Sequence, residues 1–294
     1  MLIAWRYRDR DTIIQRLDPR ARIIFMLAML FSVIQFWDLR IVLVFLGLAL
    51  LQFGLARLTW RETRRVWILI SIIILVMTTL TFLTGRGGVQ TAYHEEHLIR
   101  RVGPLSLPIV GWQISLNITA EKTIFALSQL VRMYAITTLA ITIPYTVNPS
   151  LYGVTFRGLG LPDRFAYAMD LAFRFVPTLG RDFSITLDAQ RARGYEVEKV
   201  AGGIIAQIRK LAPLIVPVTI NAIVGAEDII DAMDLRAFGI GPRTWVHRLT
   251  YERRDRTLIA ISALIFIGST VLSFLGIGHL WVPAALLRLA TGSG

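Results

Sequence analysis

Long apolar runs separated by short charged breaks dominate the pattern of this chain. Residues 21–37 and 41–56 are apolar on either side of Asp38-Leu39-Arg40, each close to the roughly 17–25 helical residues that a bilayer core requires. The pattern predicts two spans joined as a tight transmembrane hairpin. Residues 66–84 predict a third span, ended by Gly85-Arg86-Gly87-Gly88. Residues 121–143 predict a fourth, with Arg132 inside it and Pro144 and Pro149 closing it. The last clear span is 257–277. Between the third and fourth, the alternation from Trp112 to Ile118 predicts a short strand or hairpin in a loop of about residues 85–120.

Residues 144–256 read differently. Apolar positions recur at helical spacing, but Arg157, Arg164, Arg174, Arg181, Lys199, Arg209 and Lys210 interrupt them regularly. Amphipathic helices lying on or under a membrane fit this better than spanning ones. Pro162 begins one helical pattern, Pro177 is placed to kink it, and Pro213 and Pro217 interrupt another. The expected organisation is therefore residues 1–143 with an N-terminal segment and four spans, 144–256 as a helical module, and 257–294 with the last span and a tail. The fold class is an all-α integral membrane protein with about five spans. No internal repeat or low-complexity tract is evident.

Composition turns that pattern into a class. The chain is 54% hydrophobic with a mean hydropathy of +0.58, which is polytopic membrane protein rather than soluble domain. It has no cysteine, so disulfide frameworks, thiol nucleophiles and thiolate metal sites are excluded. The net charge of +12 is read through the positive-inside rule and not as nucleic-acid binding. Arg6, Arg8, Arg10, Arg16, Arg20 and Arg22 precede or open the first run, without the short apolar core of a cleavable signal. Arg57, Arg61, Arg64 and Arg65 form a basic turn flanked by Trp60 and Trp67. The N-terminus, this turn and the 144–256 module are placed in the cytoplasm, the 85–120 loop and the C-terminal tail outside.

The stretch from Asp182 to Gly239 holds the candidate chemistry. Two helical patterns each run into an arginine and small residues: Ala192-Arg193-Gly194 and Leu235-Arg236-Ala237-Phe238-Gly239. One such ending is ordinary helix capping, since a cation suits the negative dipole end and glycine the left-handed cap. A second in the same module, behind apolar faces suited to a partner groove, is not explained by capping. Asp228, Asp231 and Asp234 with Glu227 resemble the acidic clusters of magnesium-dependent membrane transferases. Their spacing spreads them over a wide arc and no second cluster completes a site. His94-Glu95-Glu96-His97 lacks the spacing of the zinc peptidase motif and reads as a polar turn. No phosphate-binding Gly-x-x-x-x-Gly-Lys-Ser/Thr loop is present, so ATP-driven work falls to a partner.

Together the motifs resemble the transmembrane T-component of energy-coupling factor vitamin and metal transporters, the family that includes the cobalt-transport permease. Leu17-Asp18-Pro19-Arg20 resembles its N-terminal motif, as do Ile118-Thr119-Ala120-Glu121 before Arg132, Val147-Asn148-Pro149, Gly158-Leu159-Gly160-Leu161-Pro162 and Arg174-Phe175-Val176-Pro177. Ala192-Arg193-Gly194 matches the first of two Ala-Arg-Gly signatures. Leu235-Arg236-Ala237 stands at the second, keeping only the arginine. The resemblance implies a non-catalytic scaffold in a bacterial or archaeal cell membrane. Its partners would be two ABC-type ATPase subunits, which bind ATP and magnesium, and a membrane-embedded S-component that binds the substrate. It implies no cofactor in this chain and an ATPase-coupling role for Arg193 and Arg236 with their neighbours. Gly202-Gly203 to Ala212-Pro213 is also similar to the ATPase-contacting loop of conventional ABC importer permeases, the alternative transporter reading.

Overall fold

The computed structural model describes residues 7–84, 98–106, 113–195, 204–241 and 245–284. Eight helices account for most of them: α1 (Pro19–Gln35), α2 (Leu39–Leu55), α3 (Trp60–Thr84), α4 (Ala120–Thr146), α5 (Tyr152–Gly158), α6 (Asp163–Ala192), α7 (Ile204–Leu235) and α8 (Arg253–Phe274). Strands β1 (Leu98–Ser106) and β2 (Gln113–Thr119) pair as an antiparallel hairpin, with Leu98 opposite Thr119 and Ser106 opposite Gln113. The alternation near residue 113 is thus a strand in an otherwise helical protein. Two compact units are present. One runs over Arg8–Val147 and resumes at Thr250; the other takes in Asn148–Leu249.

In the first unit, α3, α4 and α8 are long and apolar enough to cross a membrane, and α2 is an apolar helix of 17 residues. The protein is a multi-pass membrane protein. The expected hairpin of the first two spans is tight only in its connection. α1 packs chiefly on α8, and α2 on α4. The cause lies in small and polar residues that let backbones approach. Asp255, Ser262 and Ser269 form one buried stripe of α8, seven residues apart. On α4, Ser128, Ala135 and Thr142 are fully buried at the same interval. On α2, Val42, Phe45, Ala49 and Gln52 are buried, the alternating three- and four-residue spacing of an interhelical seam.

Both ends of this unit are fastened by polar contacts. At one end, Asp18 caps α1 by accepting from the Arg20 N–H at 2.8 Å, and its carboxylate pairs with the Arg20 guanidinium at 2.7 Å. The Asp18 N–H donates to Asp255 Oδ1 at 2.8 Å, while Asp255 Oδ2 accepts from the Glu252 N–H at 2.9 Å. Pro19, in the first turn of α1, needs no donor there. Arg20 lies 3.8 Å over the Tyr251 ring. Buried Arg22 donates to the Thr146 carbonyl at 3.0 Å. Nearby, Arg10 pairs with Glu62 and donates to the Arg57 carbonyl at 2.6 Å.

At the other end, the three-residue turn after α1 gathers the contacts. Arg132, 5% exposed, donates to the Phe36 carbonyl at 2.6 Å and lies 4.0 Å over the Trp37 ring, which stacks on Phe125 at 5.0 Å. The N–H groups of Trp37 and Asp38 donate to the Gly278 carbonyl at 2.9 and 3.1 Å. The intramembrane arginine is a clamp between α4 and the α1–α2 turn.

Three prolines behave differently from their reading in sequence. Pro144 lies inside α4, which runs on to Thr146, and Pro213 and Pro217 lie inside an unbroken α7. Only Pro149 sits in a terminating turn, the 3-10 turn Pro149–Leu151 capped by Asn148. A proline in a helix frees the carbonyl four residues earlier, and neighbouring polar side chains re-satisfy such groups. For Pro217 that carbonyl belongs to Pro213, and Gln190 Nε2 of α6 lies 3.5 Å from it. α7 also departs from the reading as a purely amphipathic helix, since Leu211–Leu235 is long and apolar enough to cross a membrane. α3 begins earlier than expected and carries Arg61, Arg64 and Arg65 in its first turns.

Two substitutions test the clamped turn. Arg132→Leu leaves the Phe36 carbonyl without its buried donor and is expected to cost about 1–3 kcal/mol. Gly278 has φ +110°, and a Cβ there would lie 2.3 Å from Phe36 Cδ1. Gly278→Ala therefore forces the buried Phe36 ring to move as well as straining the backbone, with an expected cost of about 1–3 kcal/mol. Thermal unfolding in detergent micelles reads both, and unchanged midpoints would show that the turn is not a fastening point.

Candidate functional site

The candidate site lies in the second unit, on α6 and α7. α6 begins after Pro162, whose ring cannot continue a helix backwards, and passes through Pro177 without a break. Before it, α5 turns at Gly160, φ +103°. α5 and α6 touch where Gly153 has no side chain, since a Cβ there would lie 2.7 Å from the Ala166 carbonyl oxygen. Arg174, exposed on α6, pairs with Asp170 one turn earlier at 3.2 Å, an ordinary surface pair worth little.

α6 and α7 run antiparallel, and two contacts far apart along them show it. The Tyr167 ring near the start of α6 lies 4.8 Å from the Phe238 ring just past the end of α7, and its hydroxyl lies 3.4 Å from Met233 Sδ. Gln190 near the end of α6 approaches Pro213 in the first half of α7. At 1.5 Å per residue these contacts stand about 35 Å apart. The pair therefore holds its two arginine ends at opposite extremities and does not converge them on one centre.

Each end has the same backbone. In α6, Arg193 is the cap residue and Gly194 has φ +80°. The Gly194 N–H donates to the Arg191 carbonyl at 2.9 Å and the Tyr195 N–H to the Gln190 carbonyl at 3.0 Å. In α7, Ala237 has φ +55°, its N–H donates to the Asp234 carbonyl at 2.9 Å, and the Phe238 N–H donates to the Met233 carbonyl at 3.0 Å. Both are the paired-bond termination in which a left-handed residue follows the cap and an apolar residue after it packs back on the helix. Arg236 thus stands where Arg193 stands, and the aromatic after the left-handed residue is Tyr195 in one and Phe238 in the other. Gly239, φ +100°, completes a further turn.

This termination alone is not specific. α5 and α8 end the same way, at Leu159-Gly160-Leu161 and Leu275-Gly276-Ile277. What sets α6 and α7 apart is the cap residue: an exposed arginine in place of a leucine. Among the described residues neither Arg193 nor Arg236 forms an ion pair. Ala192 is exposed beside the first, and Leu235, 89% exposed, beside the second. Isoleucine at 240 and valine at 246 are also outward, 85% and 95% exposed. Two cations flanked by apolar surface, without ion-pair partners among the described residues, are equipped for carboxylates or helix-end carbonyls of another molecule.

The remaining motif residues do not join this site. Asp18, Pro19, Arg20 and Arg132 fasten the first unit, and Pro149 turns the chain into α5. Asp228, Asp231 and Asp234 are exposed on α7, and among the described residues no three His, Cys, Asp or Glu side chains gather as metal ligands. The His94-Glu95-Glu96-His97 run and Gly202-Gly203 lie outside the described residues. Sequence reasoning missed Asp255, Gln190 and Gly153. Of these, Asp255 had a signal: it is the N3 residue of a capping box with Glu252.

Comparison with known proteins places the chain in a family. The family model for CbiQ, "Cobalt transport protein", matches residues 10–244. Three relatives are each named "Energy-coupling factor transporter transmembrane protein EcfT". The one from Thermosediminibacter oceani is 26% identical, covering 92% of this chain and 97% of its own length. That from Macrococcus caseolyticus is 28% identical over 90% and 97%, and that from Staphylococcus aureus 25% over 94% and 98%. With the match running from the segment before α1 to beyond the end of α7, this chain belongs to the CbiQ cobalt transport protein family.

Proposed function

We propose that this chain is the transmembrane coupling subunit of an energy-coupling factor importer. It joins two ABC-type ATPases to a separate membrane-embedded component that binds a vitamin or transition metal. The observation that carries the reading is the repeated helix end: the same termination, with an exposed arginine at the same position that has no ion-pair partner among the described residues, at both extremities of one antiparallel pair. Two like sites far apart suit two like partners, and a single catalytic centre needs the opposite arrangement. The named relatives support the same assignment.

Orientation follows from charge. Arg8, Arg10, Arg16, Arg20, Arg57, Arg61, Arg64, Arg65, Arg253, Arg254 and Arg256 all lie near the end of the first unit where α1, α3 and α8 begin and α2 and α4 finish. The positive-inside rule places that end in the cytoplasm. Each ATPase receives one arginine end, and closure of the ATPase pair on ATP and magnesium displaces those ends. The paired helices carry the displacement, and the substrate-binding component answers it. No step is catalysed by this chain.

Arg193→Glu and Arg236→Glu are expected to leave the protein membrane-inserted while weakening ATPase association. A lost charged partner at such an interface costs about 2–5 kcal/mol, or roughly 30- to several-thousand-fold in affinity. Co-purification with the ATPases and substrate uptake read this, and wild-type values in both variants would overturn the role. Ala237→Gly separates cap from contact: it relieves the left-handed backbone and is expected to stabilise the α7 end by about 1 kcal/mol, seen as slower amide exchange at Ala237 and Phe238, with association intact.

A further inference from the structure

Two adjoining clefts in the first unit have the form of a lipid site. The first, about 260 Å³, lies among α1, α2 and α8 and is walled chiefly by apolar side chains including Leu17, Phe25, Leu48, Leu51 and Ile265, with Arg22 also in its lining. The second, about 290 Å³, is walled by Asp11, Thr12, Arg16 and Arg57 with Gly54; Arg16 and Asp11 are paired with each other at 2.7 Å, which leaves Arg57 as the cation facing it. Ile13 and Leu55 line both, so an apolar volume opens directly on a polar, cation-bearing one.

Three features say what would fill them. Gln52, 8% exposed, lines the apolar cleft with its Oε1 buried and without a hydrogen-bond partner among the described residues. A carboxamide so placed is costly unless a ligand supplies a complementary group. Arg57 holds a left-handed backbone, φ +48°, secured by the Arg10 guanidinium donating to its carbonyl. This presents an exposed side chain at the polar cleft with no ion-pair partner among the described residues. The apolar cleft lies along α8, which is long and apolar enough to span, while the polar one lies by the basic turn, where an interface would fall. A soluble nutrient does not match such walls, and an acyl chain does.

We infer that these clefts bind one anionic phospholipid of the leaflet nearest the N-terminus, an acyl chain in the apolar cleft and the phosphate against Arg57. Charge-assisted bonds to a phosphate fit guanidinium groups. The site does not depend on the transport role and survives its failure.

The test uses the full chain, delipidated in detergent, with phosphatidylglycerol, phosphatidylcholine or inorganic phosphate added, read by native mass spectrometry and thermal shift. The wild type is expected to retain one phosphatidylglycerol and to be stabilised by it more than by phosphatidylcholine. Arg57→Gly removes the cation while relieving the backbone, so its own midpoint should not fall, yet phosphatidylglycerol retention should weaken about tenfold. Leu48→Trp, filling the apolar cleft, should weaken both lipids alike. Wild-type retention in both variants overturns the site. Equal binding of the two lipids overturns the anionic headgroup, and an equal shift with inorganic phosphate overturns the acyl-chain cleft.

Discussion

A polar group inside an apolar bundle must find its partner within the protein, and the turn between α1 and α2 is where this chain meets that demand. Its three residues expose carbonyls and N–H groups that neither helix can satisfy. Arg132 answers the Phe36 carbonyl from α4, and Gly278 answers Trp37 and Asp38 from the end of α8. Three otherwise separate segments are thereby fixed by one backbone turn. The desolvation cost of a buried guanidinium is partly offset by the indole face beneath it.

At the opposite end the same logic uses carboxylates. Asp18 and Asp255 are both buried, and each accepts hydrogen bonds at the start of a helix, where the dipole favours negative charge. Arg20 sits beside Asp18 and over Tyr251, so the like charges are not left facing one another alone. The Asp-Pro-Arg motif is thus a joint between α1 and α8. With α1 held to α8 and α2 to α4, the short first helices are anchored by neighbours more than by each other.

How much of this was legible depended on range. The spans α3, α4 and α8, the strand near residue 113 and the two arginine ends follow from local pattern, because apolar runs, alternation and caps are written in neighbouring residues. Which helix packs on which was not legible, since the stripes Asp255-Ser262-Ser269 and Ser128-Ala135-Thr142 declare a face but not its partner. The prolines misled for a related reason. A helix breaker is judged by the bond it removes, whereas Pro217 persists in α7 where a side chain 27 residues earlier, Gln190, approaches the freed carbonyl. At Leu235-Arg236-Ala237 residue identity departs from the family signature while the backbone matches that of Arg193-Gly194.

That last case bears on how the proposed coupling tolerates change. A left-handed residue after the cap ends the helix at the arginine and turns the chain so that the next aromatic, Phe238, packs on Tyr167 of α6. Glycine reaches this conformation without penalty and alanine does not, yet alanine at 237 adopts it, because Met233, Phe238 and Tyr167 close around the turn. What an interface partner meets is the exposed guanidinium and the flanking apolar surface, both of which outlast the loss of the glycine. In the proposed coupling the arginine is the part of the signature that makes the contact, and its small neighbours serve to place it. On this argument Arg236 belongs with Arg193 despite the altered residues beside it, and the strain at Ala237 is the measurable trace of keeping it there.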